Sequence, residues 1–230
     1  MELKDLLNNP PVLHRDGDGN PVSYHLNEEV LAFLDENVRG DSKTLETGAG
    51  VSTILFAMKG TEHICMVPDR EQVERIKEYC SRNKISAQRV DFKIDKSESA
   101  LPKLESGRFD LVLIDGNHAF PTPFIDWYYT APVLKTGGML VIDDTQLWTG
   151  ETLRNFLLSE PEWELKKDFS NRNIGTSVFI KLKEGSEQKW WGEQPYLVSH
   201  SKLGHNKIRT AAELLLKGKF SSIFSKMLRK

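Results

Sequence analysis

Three aspartates follow directly after two apolar segments in the middle of the chain. Asp115 comes after Phe109 to Ile114, and the pair Asp143 and Asp144 comes after Met139 to Ile142. If the two segments are neighbouring parallel strands, their carboxyl ends meet at one edge of the sheet and the three carboxylates converge there. Carboxylate oxygens are the ligands that Mg²⁺ and Ca²⁺ prefer, whereas structural zinc needs a cluster of His and Cys. The sequence therefore predicts a divalent-cation site, with solvated capping acids as the alternative.

A histidine lies on the segment that follows Asp115. His118 stands three residues further along, and the ordinary histidine pKa of about 6.5 suits proton transfer near neutral pH. We expect His118 to be the catalytic base. Alternatively, His118 could hydrogen-bond to the ligands of a bound metal, or it could simply be a polar residue on the surface. Asp144 is the expected base if no metal binds. The remaining histidines have no comparable placement: His14, His25, His63, His200 and His205.

A glycine-rich turn, Glu46-Thr47-Gly48-Ala49-Gly50, lies between a predicted strand and a predicted helix. Glycine lets backbone N–H groups approach a ligand closely, so Gly48, Gly50 and the nearby Ser52 are expected to bind a cofactor. A dinucleotide site needs a third glycine where this chain has Thr53, and a pyrophosphate gives no role to an acid just before the turn. The turn therefore favours a cationic ligand without phosphates, and a purely structural turn is the alternative.

Asp69 follows the next predicted strand, one βα unit after the glycine turn. At the carboxyl edge of the sheet, an acid in this position can accept hydrogen bonds from both hydroxyls of a ribose. The same side chain can cap the helix that begins at Arg70, and the two roles are compatible. We therefore expect Asp69 to bind the ribose of a nucleoside cofactor.

These residues need a sheet that brings strand ends together, and the pattern of the chain predicts one. Strands alternate with helices from Lys43 to Ile142, as in parallel βαβ units. Two later strands, about Trp163 to Phe169 and Thr176 to Leu182, are joined by a short connection and are expected to pair antiparallel. The earlier strands are predicted at 43–47, 62–67, 88–94, 109–114 and 139–142, and helices at 27–38, 51–59, 70–83, 97–104, 123–134 and 149–158. The prediction is an α/β Rossmann-like fold with a seven-stranded, mostly parallel sheet and a terminal antiparallel hairpin.

In strand order and in motifs the chain resembles the class I S-adenosylmethionine-dependent methyltransferases, whose first motif reads Glu/Asp-x-Gly-x-Gly. The strings Ile114 to His118 and Leu134 to Asp144 are similar to those of catechol-type and macrocin-type O-methyltransferases, a group that includes sugar and macrolide O-methyltransferases. The similarity extends over roughly 43–182. It implies S-adenosylmethionine as the cofactor, with Glu46 near the amino end of the bound molecule.

The resemblance also implies roles for residues at the other strand ends. Ser97 and Glu98 match the segment that holds adenine, although Ser97 is also a good helix cap. Asp115 is expected to contact the cofactor as well as a metal. In these enzymes three acids hold a divalent cation, which binds the acceptor hydroxyl. The matching acids here, which would hold magnesium or calcium, are Asp115, Asp143 and Asp144. The catechol enzymes have a lysine where this chain has His118, so the base departs from their pattern.

The activity implied by the resemblance is methyl transfer to a hydroxyl of a small acceptor, such as a sugar or a glycosylated or phenolic metabolite. One alternative is a metal-independent methyltransferase that uses His118 as base. Another is a binding protein on the same fold without turnover. A nicotinamide oxidoreductase is disfavoured by Thr53.

Composition limits the class of protein and its partners. The chain has 230 residues, 39% of them hydrophobic, and a formal net charge of -2, which favours a soluble globular domain and disfavours nucleic acid as a partner. Two cysteines, Cys65 and Cys80, are too few for a disulfide framework and suit a reducing compartment. The start of the chain does not have the pattern of a signal peptide, so we expect a cytoplasmic location.

We divide the chain into an N-terminal arm and helix (1–40), a cofactor-binding catalytic core (41–185) and a basic C-terminal extension (186–230). From Ser201 onward, eight Lys/Arg accompany a single acid, Glu213. This segment is expected to touch a membrane surface or an anionic glycolipid, or to pack on its own domain or on a second subunit in a homodimer. The pair Trp190-Trp191 is expected to stack on the acceptor or to anchor the extension.

Overall fold

The structure, a computed structural model, describes residues 1–22, 26–104, 109–170, 175–184 and 191–200. Its strands are β1 (His14–Arg15), β2 (Pro21–Val22), β3 (Lys43–Thr47), β4 (Glu62–Met66), β5 (Val90–Lys93), β6 (Phe109–Ile114), β7 (Leu134–Ile142), β8 (Trp163–Asp168) and β9 (Ser177–Lys181). Its helices are α1 (Leu3–Asn8), α2 (Glu28–Asn37), α3 (Val51–Lys59), α4 (Arg70–Arg82), α5 (Ser97–Ala100), α6 (Thr122–Thr130), α7 (Trp148–Ser159) and α8 (Pro195–His200). Short 3-10 turns lie at Leu101–Lys103 and Trp191–Glu193.

Strands β3 to β9 form one seven-stranded sheet in the order β5-β4-β3-β6-β7-β9-β8. Strands β3 to β7 pair in parallel, whereas β9 is antiparallel to both of its neighbours, β7 and β8. This confirms the predicted sheet and its terminal antiparallel hairpin. The strand order reverses between β3 and β6, and in open α/β sheets the crevice at such a reversal is where ligands bind.

Strand β6 illustrates why the centre of the sheet is predictable from sequence. Leu111 and Leu113 pack in a core that includes residues of α2 and α3, whereas Val112 and Ile114 pack in a second core with residues of α7. Alternate side chains of a strand point to opposite faces, and both faces are covered here. The strand is therefore apolar at almost every position.

Strand β7 is longer than predicted, because it begins at Leu134 instead of Met139. Leu134 pairs with Phe109, and the register shifts before Leu111 pairs with Met139. Gly137 and Gly138 thus lie at an irregularity within the strand, and helix α6 ends at Thr130 rather than at the predicted Leu134.

Two helices begin differently from the sequence prediction. Lys96 precedes α5, so that Ser97 is its first residue rather than its cap. Leu147 takes the cap position of α7, and Thr149 lies inside the first turn. The hydroxyl of Thr149 instead donates to the backbone oxygen of His118.

The chain divides into two units, Met1–Gly185 and Ser186–Lys230, so the N-terminal arm belongs to the same unit as the core. The predicted basic segment from Ser201 and the predicted role of Trp190 lie outside the described residues, as does His25. Within the described ranges, every helix is too short or too polar to cross a membrane. Cys65 and Cys80 are both buried thiols without a disulfide.

Candidate functional site at the strand reversal

The glycine turn lies at the end of β3, against the end of β6. Gly48 adopts a φ of 93°, in the left-handed region that favours glycine. A Cβ added to Gly48 would lie 2.0 Å from the backbone oxygen of Asp115, and the N–H of Asp115 donates to the oxygen of Thr47 at 3.1 Å. The turn and the loop after β6 are therefore in direct backbone contact, and neither can move without the other.

Glu46 supports this turn from inside the protein. Its side chain is only 1% exposed, and its carboxylate accepts hydrogen bonds from the hydroxyls of Ser52 (2.7 Å) and Thr53. The Nε2 atom of His63 lies 3.1 Å from the same carboxylate. The predicted contacts of Glu46 and Ser52 with the cofactor stay predictions; what the structure assigns to both is a hydrogen-bond network that fixes the start of α3.

His63 and Cys65 lie next to Glu46, and the potential ligand atoms of the three residues are within 4.8 Å of one another. Each already has a partner: His63 Nδ1 lies 2.8 Å from the hydroxyl of Thr44, and Cys65 Sγ donates to the oxygen of Gly48 at 3.1 Å. Burial, together with the charge of Glu46, raises the pKa of the Cys65 thiol well above its ordinary value. A protonated thiol is a poor metal ligand, so the group serves as a buried hydrogen-bond network.

The other predicted cofactor residues lie along the same edge of the sheet. Asp69 follows β4 and caps α4, accepting from the N–H of Glu71 at 2.8 Å, while its second oxygen pairs with Arg75 at 3.0 Å. About half of the Asp69 side chain is exposed, so its carboxylate remains accessible to a ribose. Ser97 is half-buried and Glu98 exposed at the start of α5, beyond the end of β5.

The predicted acids and histidine converge beyond β6 and β7. Nε2 of His118 lies 3.0 Å from Oδ2 of Asp144 and 3.7 Å from Oδ1 of Asp115. Asp143 accepts a hydrogen bond from the hydroxyl of Thr176 and interacts with Asp115 through its side chain. The structure thus brings all four residues together, as the strand-end pattern predicts.

The charges of this acid cluster, defined as Asp115, Asp143 and Asp144, repel one another. Burial first, and then the Asp143 carboxylate, raise the pKa of Asp115 well above its ordinary value. Burial also raises the pKa of Asp143, although the hydrogen bond from Thr176 opposes the shift. Negative charge at this edge of the sheet thus adds to the effect of burial on Asp115 and Asp143.

The loop that holds Asp144 is tightly packed. Asp144 itself has a φ of 53°, an uncommon value for a residue other than glycine. A Cβ on Gly150 would lie 2.5 Å from the oxygen of Asp144, and one on Gly175 would lie 2.5 Å from the hydroxyl of Thr145. The hydroxyl of Thr149 donates to the backbone oxygen of His118 at 2.6 Å, which joins the two loops that hold the acids and the histidine.

Large apolar side chains flank these loops on their solvent side. Phe120 is 68% exposed, Trp148 64% and Leu147 43%. The rings of Phe120 and Trp148 lie 6.1 Å apart, one on the loop after β6 and the other at the start of α7. We call these three residues the aromatic rim. Exposed apolar patches of this kind are often binding surfaces.

Sequence reasoning missed three residues near the crevice. His14 lies beside the glycine turn and His63 behind it. Asp126, in α6, is fully buried, and neither of its carboxylate oxygens has a hydrogen-bond partner. Its burial raises its pKa to about 6, with the nearby hydroxyls of Ser97 and Thr47 lowering it. No periodicity or spacing marks these positions, because each depends on contacts between distant segments.

A sheet of this order, with its crevice at a glycine turn, is the fold of the class I S-adenosylmethionine-dependent methyltransferases. Residues 45–145, which contain the turn and the acid cluster, match a family described as a methyltransferase domain. No curated protein matches the sequence.

Solved structures of methyltransferases share this fold at low sequence identity. The chain is similar to cofactor-bound Rv0187 from MTB, with 18% identity, a TM-score of 0.60, and coverage of 71% of this chain and 84% of the other. It is similar to the O-methyltransferase TomG from Streptomyces achromogenes in complex with SAM, with 16% identity, a TM-score of 0.61, and coverage of 78% and 90%. A putative rRNA methylase from Clostridium thermocellum matches at 14% identity with a TM-score of 0.57, covering 71% and 100%.

Proposed function

We propose that the protein transfers the methyl group of S-adenosylmethionine to a hydroxyl of a small acceptor, with a divalent cation at the acid cluster. The observation that supports this most is the convergence of His118 with Asp115 and Asp144, within 3.7 Å and 3.0 Å. S-adenosylmethionine supplies an electrophilic methyl group on a sulfonium. What the protein must add is alignment and removal of the acceptor proton.

The residues of the acid cluster fit a hard cation. After burial, the charges of Asp143 and Asp144 raise the pKa of Asp115, and the charge of Asp144 raises that of Asp143. Oxygen donors of this kind are the ligands of Mg²⁺ and Ca²⁺. Asp115, Asp143 and Asp144 would hold the ion. A bound cation of this type lowers the pKa of a coordinated hydroxyl, which makes the acceptor a better nucleophile.

His118 is the base in this proposal. Its Nε2 lies 3.0 Å from Oδ2 of Asp144 and donates its hydrogen there, so in the neutral ring Nδ1 is the nitrogen that receives the acceptor hydroxyl proton as the oxygen attacks the methyl group. The bond from methyl to sulfur breaks to leave S-adenosylhomocysteine, and Asp144 stabilises the imidazolium that results. The bond from Thr149 to the backbone of His118 keeps the ring beside the acids.

The aromatic rim supports an acceptor with a flat apolar surface, either a phenolic ring or the apolar face of a sugar. Phe120, Leu147 and Trp148 are exposed directly beside the loops that bear His118 and Asp144. Aromatic side chains gain from stacking and burial against such surfaces. TomG, to which the chain is similar, is an O-methyltransferase, which is consistent with a hydroxyl acceptor. Proteins that bind nucleic acid usually have an excess of positive charge, whereas the net charge of this chain is -2.

A methyl-transfer assay in the presence of EDTA, followed by addition of Mg²⁺, tests the proposal. With a panel of phenolic and sugar acceptors, we expect chelation to abolish activity and Mg²⁺ to restore it. Asp143→Asn should lower activity at least tenfold without changing the affinity for S-adenosylhomocysteine, whereas the exposed Asp91→Asn serves as the matched control. Full activity of Asp143→Asn in metal-free buffer would contradict the role of the metal.

A second candidate is methyl transfer without a metal, favoured by the 3.0 Å contact between His118 and Asp144. In that reaction the imidazole and carboxylate alone activate the acceptor. Chelation would then leave activity unchanged, while His118→Ala would abolish it. Because His118 is the base in both mechanisms, the response to EDTA is what separates them.

A further inference from the structure

The antiparallel hairpin reaches the acid cluster just before β9 begins. Ser177, the first residue of β9, pairs with Ile142, the last residue of β7. Because the two strands are antiparallel, the residue before Ser177 lies beside the residue after Ile142, which places Thr176 beside Asp143. Strand β7 lies between β6 and β9 in the sheet. The acid cluster is therefore contacted from β9 on one side, while Asp115 joins it from β6 on the other.

Thr176 holds one of the acids through its hydroxyl. Thr176 is fully buried, and its hydroxyl donates to Oδ1 of Asp143. An ionised carboxylate can only accept, so the hydroxyl hydrogen belongs to this bond. The side chain of Asp143 interacts with the like charges of Asp115 and Asp144, and such charges push a carboxylate away from its neighbours. The bond from Thr176 opposes that displacement.

Gln146 holds the next acid in the same way, with the help of Gly175. The N–H of Gly175 donates to Oε1 of Gln146 at 2.7 Å, and Nε2 of Gln146 donates to Oδ1 of Asp144 at 2.5 Å. Since Oε1 is the acceptor, the amide nitrogen must be the atom that faces the carboxylate. The N–H of Thr145 donates to the oxygen of Gly175 at 2.8 Å, so the backbone before β9 is bonded to the loop of the acids twice.

We propose that Thr176 and Gln146 are positioning residues for the divalent cation. Each orients the carboxylate to which it donates, that of Asp143 or Asp144, so that the two face the same ion. Both bonds are made to an Oδ1 atom from outside the acid cluster, whereas Oδ2 of Asp144 faces His118 at 3.0 Å. Hydrogen bonds of this kind orient metal ligands, and their loss lowers metal affinity. The inference rests on the proposed function, because it assumes a cation at the acid cluster.

Titration of the full chain with Mn²⁺, followed by the electron paramagnetic resonance signal of the free ion, tests the proposal. Thr176→Val removes the hydroxyl at nearly constant shape and should weaken Mn²⁺ binding about tenfold to a hundredfold. Thr176→Ser retains the donor and should bind Mn²⁺ nearly as the unmodified protein does. Gln146→Met, at an exposed position, should weaken Mn²⁺ binding by a similar factor. The affinity for S-adenosylhomocysteine should stay unchanged in all three variants.

Two matched controls make the same chemical changes away from the acid cluster. Thr130→Val removes another fully buried hydroxyl, which donates to the backbone oxygen of Asp126 at 2.7 Å. Gln88→Met replaces an exposed glutamine that precedes β5, at the opposite edge of the sheet. We expect both controls to bind Mn²⁺ as the unmodified protein does.

The titration distinguishes failure of this inference from failure of the proposed function. If the unmodified protein does not bind Mn²⁺, the proposed metal is wrong and this inference is wrong with it. If the unmodified protein, Thr176→Val and Gln146→Met all bind Mn²⁺ equally, only the positioning role is wrong. Equal weakening in Thr176→Val and Thr130→Val, or no recovery in Thr176→Ser, would overturn the role of Thr176. Because Gln146 is exposed, its variant tests the proposal even if Thr176→Val does not fold.

Discussion

The contact between Gly48 and Asp115 predicts a large effect of a single added methyl group. In Gly48→Ala, a residue with a Cβ must adopt a φ of 93° and place that atom 2.0 Å from the backbone oxygen of Asp115. The left-handed backbone costs about 1 kcal/mol, and overpacking adds about 1–3 kcal/mol. Retreat of the turn would also strain its hydrogen bonds, among them the 2.9 Å bond from Gly48 N to Met66 O. We expect a total loss of about 2–4 kcal/mol in the free energy of unfolding.

Gly60→Ala separates the two contributions, because Gly60 has a φ of 70° and no heavy atom within 4 Å of its Cβ position. This variant should lose only about 1 kcal/mol. Urea denaturation gives both free energies, provided that the m-values agree. Titration with S-adenosylhomocysteine should show weaker binding for Gly48→Ala alone. Equal stability of the two variants would refute the conclusion that the turn and the loop after β6 are held in backbone contact.

Three further changes have effects that follow from buried polar groups. Burial raises the pKa of Asp126 in the folded protein to about 6, against an ordinary value of 3.8, so the cost of its charge to stability appears as pH rises through that window. Asp126→Asn should therefore raise the free energy of unfolding by about 3 kcal/mol at pH 8 and by about half of that at pH 5. Lys181→Met removes the ammonium group that donates to two backbone oxygens at the end of α6 and the start of β7. Urea denaturation should show that the free energy of unfolding falls by about 2–4 kcal/mol. In Glu46→Gln an amide NH₂ group replaces one acceptor oxygen among the donors around it, so the free energy of unfolding should fall by about 2–3 kcal/mol. The change Glu71→Gln at an exposed position should alter it by less than about 0.5 kcal/mol. Equal effects of the two glutamate changes would contradict the buried network.

The convergence of the acid cluster could be predicted because it depends only on strand ends. Asp115 and Asp143 each follow an apolar segment, and parallel strands present their carboxyl ends at one edge. Burial on both faces makes such segments apolar throughout, so that a single sequence is enough to find them. The glycine turn is predictable for a similar reason, since Gly48 has a backbone conformation that other residues avoid.

Other features depend on contacts that have no local signature. Glu46 has the sequence position of a ligand, yet its direction is decided by Ser52, Thr53 and His63, which reach it from α3 and β4. The early start of β7 follows from pairing with Phe109 and not from the apolar pattern, which Gly137 and Gly138 interrupt. His14 approaches the turn only because side chains of α4 fix the arm.

The close packing around Asp144 has a consequence for how acceptor choice can change during evolution or in the laboratory. Gly150 and Gly175 leave no room for a side chain, so the backbone that holds the acids tolerates little variation. Phe120 and Trp148 project into solvent from the same loops, and their replacement disturbs no packed neighbour of comparable tightness. Under the proposed function, a mutational library confined to the aromatic rim would therefore change the acceptor surface and leave the backbone that holds the acid cluster in place.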